Sequence, residues 1–148
     1  MVDVSQKDET WRVAVAESTI LMSNTVMEAL YNDALPKGDL FATARIAGIQ
    51  AAKKCSDLIP LCHPLPLTKV AVDISELSDS EIKGLVVTAT CKTQGKTGVE
   101  MEALTAASIT SLTIYDMCKA IDKGMIIADT RLVSKEGGKS GSWSRKND

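Results

Sequence analysis

The chain has 148 residues, enough for one domain with a real core and few for two. Its hydrophobic content of 45% and charged content of 24% are those of a globular protein, and 3% aromatic content leaves the core to Ala, Val, Ile, Leu and Met. A net charge of −2 with so few rings argues against a nucleic-acid surface, and no apolar run approaches the ~20 residues that span a bilayer.

The opening Met1-Val2-Asp3-Val4-Ser5-Gln6-Lys7 has no apolar stretch of the export type, which predicts a cytoplasmic protein. A strand is expected from Trp11 to Leu21, where Trp11, Val13 and Val15 alternate with Arg12, Ala14 and Ala16. Ser23 or Asn24 can cap a short helix through Tyr31. Leu35-Pro36-Lys37-Gly38 then breaks the chain, and Asp39 is a suitable N-cap for a helix to about Cys55. Ala44, Ala47, Gly48 and Ala51 permit close approach of another backbone on that helix. Pro60, Pro64 and Pro66 hold the following segment extended.

Two strands follow, Leu67 to Ser75 and Glu81 to Cys91, around the turn Ser78-Asp79-Ser80. Gln94-Gly95-Lys96-Thr97-Gly98 leads into a second long helix, ending near Asp122 and Gly124. A last strand covers Met125 to Ser134, and residues 137–148 are expected to form a mobile tail. Merging the two consecutive helices gives β-α-β-β-α-β across residues 1–148. That is an α+β, ferredoxin-like split βαβ domain, a four-stranded antiparallel sheet covered by helices.

The second long helix is apolar on several sides. Met101, Leu104, Ala107, Leu112, Tyr115 and Cys118 form one stripe, and Ala103, Ala106, Ile109, Ile114, Met117 and Ile121 form others. A helix of that kind is buried on more than one side, which predicts a homo-oligomer.

Charged groups stand out against this apolar segment. Gly95-Lys96-Thr97 lacks the glycine that a nucleoside-triphosphatase loop needs five residues earlier, where Thr90 stands. Glu100 and Glu102 alternate with core residues in the first helical turn, so at least one should face protein. Acids there also stabilise the helix dipole, which is the plainer explanation. Asp116 and Lys119 are three apart and share a face, where their neighbours suggest partial burial and shifted pKa values. Structural pairing would place the same residues, so spacing leaves structure and catalysis open.

His63, the only histidine, sits between Pro60 and Pro64 on a rigid loop, a suitable mount for a ligand-contacting group. Cys55, Cys62, Cys91 and Cys118 contain no CxxC pair, and with one histidine a tetrahedral zinc site is not expected. No metal-ligand set and no cofactor motif is visible. Glu102 and Asp116 lie fourteen residues apart, ~21 Å along one straight helix. If both serve one small-molecule pocket, its two halves must come from two subunits with antiparallel helices.

Four motifs together resemble the molybdenum cofactor biosynthesis protein C family almost end to end. They are Gly38-Asp39-Leu40-Phe41-Ala42-Thr43-Ala44-Arg45-Ile46-Ala47-Gly48, Leu58-Ile59-Pro60-Leu61-Cys62-His63-Pro64, Lys96-Thr97-Gly98-Val99-Glu100-Met101-Glu102-Ala103-Leu104-Thr105 and Tyr115-Asp116-Met117-Cys118-Lys119-Ala120. The resemblance implies conversion of 3′,8-cyclo-7,8-dihydro-GTP to cyclic pyranopterin monophosphate with release of diphosphate. It also implies a hexamer, a trimer of dimers, with each pocket at a dimer interface. Carried over by motif, Asp116 and Lys119 form the central acid/base pair, with Lys53 matching a further functional position. Leu61, Cys62, His63, Met101 and Glu102 fall on substrate-binding segments, and Glu100, Arg12 and Lys135 match functional positions too. Two rival classes are a nucleotide-binding regulatory module of the same fold and a structural subunit. Either would bind or assemble without proton transfer.

Overall fold

The computed structural model describes all residues except 33, 80, 147 and 148. The elements run β1 (Thr10–Leu21), α1 (Asn24–Tyr31), α2 (Leu40–Lys53), α3 (Cys55–Leu58), β2 (Leu67–Glu76), β3 (Gly84–Gly95), α4 (Glu100–Cys118), β4 (Ile126–Glu136) and β5 (Trp143–Ser144). The sheet order is β2-β3-β1-β4-β5 with every neighbouring pair antiparallel. Its first four strands have the ferredoxin-like order, as expected. The segment read as a tail contributes a short fifth strand, pairing Trp143 with Lys135 and Ser144 with Ser134.

The helix-bearing face of the sheet mixes small residues with aliphatic ones. Ala14, Ala16, Ser18 and Ile20 of β1 are buried on it beside Leu85, Val87, Ala89 and Cys91 of β3. The bulkier alternates Trp11, Val13 and Val15 fall on the opposite face, where Trp11 is 59% exposed. Small inward residues let α4 lie close to the sheet, sealed by its own buried Ala103, Ala106 and Ala107. Ser18 ties the two layers, accepting from Ser111 of α4 and from Thr130 of β4, each at 2.9 Å.

α2 starts where Asp39 accepts the Ala42 amide at 2.9 Å, the expected N-cap. It runs antiparallel to α4: Lys37, ahead of α2, meets Asp116 at the far end of α4, while Cys55, behind it, meets Thr105 near the start. Gly48 marks the closest approach, since a Cβ there would collide with Thr110 Oγ1 and crowd the Ala106 carbonyl. Gly48→Ala should therefore lower unfolding stability by about 2 kcal/mol through overpacking, read as a shifted denaturant midpoint at constant slope. An unchanged midpoint would contradict this packing.

Candidate active site

α4 carries two separate groups of polar side chains at its ends. At its N-terminal end the chain of β1, the turn after β3, the loop 59–66 and the end of β4 converge. Arg12 shares the inward parity of Ala14 but lies beyond the start of α4, so its guanidinium enters the space in front of the helix. Gly137 and Gly138, with φ of 92° and 75°, carry the chain over it. A Cβ at Gly138 would collide with the Arg12 guanidinium, and one at Gly137 with the Trp11 carbonyl.

A cleft of about 870 Å³ opens there, lined by Lys7, Arg12, Lys96, Lys135 and Lys139 against Asp8 and Glu100. Five cations facing two acids, beside a helix N-terminus, give an anion-binding surface on a chain of net negative charge. Lys135 Nζ donates to Glu100 Oε1 at 2.5 Å, and Arg12 Nη2 donates to the Lys96 carbonyl at 3.4 Å. Burial works to raise the Glu100 pKa, but the Lys135 hydrogen bond and the charges of Lys135 and Arg12 prevail and hold it below the ordinary value. Arg12 Nε is buried with no hydrogen-bond partner among the described residues.

A second cleft of about 270 Å³ adjoins the first through Thr97, Gly98 and Glu100, and is lined by Leu61, Cys62, His63 and Met101. Leu61 is 72% exposed on this rim, an apolar side chain that the protomer itself does not cover. Behind the cleft Glu102 is 2% exposed. Cys62 Sγ donates to its Oε1 at 3.7 Å. Burial pushes the Glu102 pKa up, and burial together with the Glu102 charge pushes the Cys62 thiol up to about 12. Of the pair of acids, Glu102 is the one facing protein, and Glu100 is the one facing the cationic cleft.

At the C-terminal end of α4, Lys119 Nζ lies 2.6 Å from Asp116 Oδ1, with the two side chains 50% and 49% exposed. Ile114 and Met117 take the buried positions of this turn, leaving Asp116 and Lys119 on the outer surface, more exposed than their neighbours suggest. Lys37 completes a triad: its Nζ also pairs with Asp116 and donates to the Asp116 carbonyl at 3.3 Å. Hydrogen bonds from Lys119, then Lys37, pull Asp116 down to about 2, and Asp116 raises Lys119 in return. Asp116 is thus held as a carboxylate and Lys119 keeps its proton firmly, a charged group suited to stabilising negative charge that develops beside it.

The structure brings Arg12, Leu61, Cys62, His63, Glu100, Met101 and Lys135 to the paired clefts, with Glu102 directly behind. Asp116 and Lys119 stand apart from these, at the opposite end of the same helix. Lys53 is exposed in the last turn of α2, lines neither cleft, and complements that helix's dipole. Lys37 escaped the sequence reading because its proline-glycine setting reads as a helix break, and its partner is 79 residues away. Lys96 belongs to the third family motif and Lys139 to the segment expected to be a mobile tail, and both line the cleft.

Residues 1–138 match the model of the MoaC family. A cyclic pyranopterin monophosphate synthase of Geobacillus thermodenitrificans is 55% identical over 148 residues, covering 100% of this chain and 91% of that protein. The protein of the same name from Geobacillus kaustophilus shows the same identity and coverage, 55%, 100% and 91%. That of Rhodospirillum rubrum is 56% identical over 144 residues, covering 97% of this chain and 86% of its own length.

Proposed function

The chain belongs to the MoaC family, and from that premise we propose how it acts as a cyclic pyranopterin monophosphate synthase, a lyase of molybdenum cofactor biosynthesis. The substrate is 3′,8-cyclo-7,8-dihydro-GTP and the products are cyclic pyranopterin monophosphate and diphosphate. The single observation that carries the site assignment is the cationic cleft beside the Leu61–His63 loop.

Arg12, Lys96 and Lys135 neutralise the triphosphate, while His63, Met101 and Leu61 enclose the ring system, with Cys62 and Glu102 beneath it. Opening the imidazole ring and closing the pterin are proton transfers. They fall to Asp116 and Lys119, joined by Lys37. Attack of a ribose hydroxyl on the α-phosphate then expels diphosphate, and the cleft cations stabilise the charge that develops. Lys53 is given no role within the protomer.

These two groups cannot meet in one chain, since ~21 Å of helix separates Glu102 from Asp116. The outer surface of α4 supports a two-fold solution. Met101 and Leu112 are 38% and 53% exposed, and with the partly exposed Leu104, Ser108 and Tyr115 they form a stripe ending at Lys119. Two such helices packed antiparallel along the stripe set the Met101 end of one against the Asp116 end of the other. A hexamer, a trimer of such dimers, also gives the outward sheet face with Trp11, Val13 and Val15 a partner surface.

Incubating the purified chain with the cyclised GTP precursor tests the reading. Diphosphate should appear in step with substrate loss. Binding without diphosphate would favour the regulatory module instead.

A further inference from the structure

Behind the smaller cleft, three potential ligands converge that the sequence keeps apart. Cys55 Sγ and Cys62 Sγ are 4.0 Å apart, and Cys62 Sγ is 3.7 Å from Glu102 Oε1. One donor atom from each of the three residues lies within 4.8 Å of the other two. Zinc–sulfur and zinc–oxygen bonds of ~2.3 and ~2.0 Å at a tetrahedral angle give S···S and S···O edges of ~3.8 and ~3.5 Å. Both edges are within a few tenths of an ångström of those lengths. A second observation points to a cation: Glu102 Oε2 is buried and has no hydrogen-bond partner among the described residues.

We propose that Cys55, Cys62 and Glu102 form a binding site for one thiophilic divalent cation of the Zn²⁺ class, with its fourth position open toward the cleft. Each thiol releases its proton to solvent on binding, so the filled site holds two thiolates, a carboxylate and the dication, one net negative charge. A water drawn from the cleft, which Cys62 lines, takes the fourth position. The local structure suits it. Cys55 opens α3 and is held by Thr105 Oγ1 at 3.5 Å, and Cys62 follows the turn closed by its amide to the Ile59 carbonyl at 3.1 Å. The six residues between the two cysteines are too many for a CxxC pattern, which is why spacing did not disclose the site.

Occupation of the site removes Cys62 and Glu102 from the substrate cleft, so cation and substrate compete. This consequence rests on the function proposed above, whereas the binding itself does not.

X-ray absorption at the zinc edge of the full chain loaded with Zn²⁺ tests the binding without any substitution. About two sulfur scatterers at ~2.3 Å are expected, with oxygen completing the shell. A shell of only nitrogen and oxygen would overturn the site. Competition against a chromophoric chelator should give one tight Zn²⁺ per chain, weakened at least about tenfold in Cys55→Ser, or in Cys55→Ala if serine disturbs the fold. Unchanged affinity in a folded Cys55 variant would also overturn it. Micromolar Zn²⁺ should inhibit turnover of the wild-type protein and spare Cys55→Ser, whose basal turnover is unaltered. Equal inhibition of both would refute the competition while leaving the absorption result to judge the site.

Discussion

Lys119→Ala should abolish diphosphate release while leaving folding and oligomer size unchanged. Lys119 is half-exposed at the end of α4, and its only ion-pair partner among the described residues is Asp116. A solvated pair of this kind adds little to stability, and Lys37 still neutralises Asp116 in the variant. The catalytic loss is different in kind. Removing a positioned proton donor costs about 10²–10⁴-fold in rate, and the fall should appear in kcat more than in KM. Lys119→Arg separates charge from proton transfer. A guanidinium keeps the cation yet does not surrender a proton, so it should restore binding without restoring kcat.

The pH profile follows from the same geometry. Asp116 is held down at about 2, so it stays ionised across any workable range and contributes no acid limb. Lys119 is raised, so its proton is lost only above the ordinary lysine range, and activity due to this group declines there. An acid limb near the ordinary carboxylate pKa that vanishes in Asp116→Asn would overturn this electrostatic account, as would wild-type kcat in Lys119→Ala.

The elements were legible in the sequence because their signals are local. Asp39 caps α2 where its spacing to the small-residue helix predicts, and alternation locates β1. Boundaries set by side-chain hydrogen bonds were harder to read. β3 starts at Gly84, not Glu81, since Asp79 Oδ1 accepts the Glu81 and Ile82 amides at 2.7 and 2.9 Å and holds them in a turn. α4 stops at Cys118, short of Asp122, because Asp122 Oδ1 takes the Gly124 amide at 2.7 Å and closes a turn of its own. The site was half legible. Motifs named the loop and both helix ends, but Lys37 joins Asp116 only through the antiparallel packing of α2 on α4, and no local pattern encodes that meeting. The thiol-carboxylate cluster is hidden for the same reason, with Glu102 forty residues from Cys62.

Mixed oligomers give the largest contrast between one-chain and two-chain sites. His63→Ala disables the cleft end and Lys119→Ala the proton-transfer end, and each homo-oligomer should be inactive. When both variants are unfolded together and refolded, a pair containing one of each has one site with two damaged halves and one with two intact halves. Random pairing makes half the dimers mixed, so about a quarter of wild-type turnover should return. If each site were built within a single chain, every site would carry one lesion and no turnover would return at any ratio. On the proposed two-fold arrangement, recovery requires an antiparallel contact along Met101, Leu104, Ser108 and Leu112. Leu112→Glu, placed in both variants, would put an unpaired charge into the apolar stripe of that contact. It should abolish the recovery and the dimer together, read by activity and by light scattering on the same sample. Recovery that survives in a monomeric Leu112→Glu background would rule out the shared site.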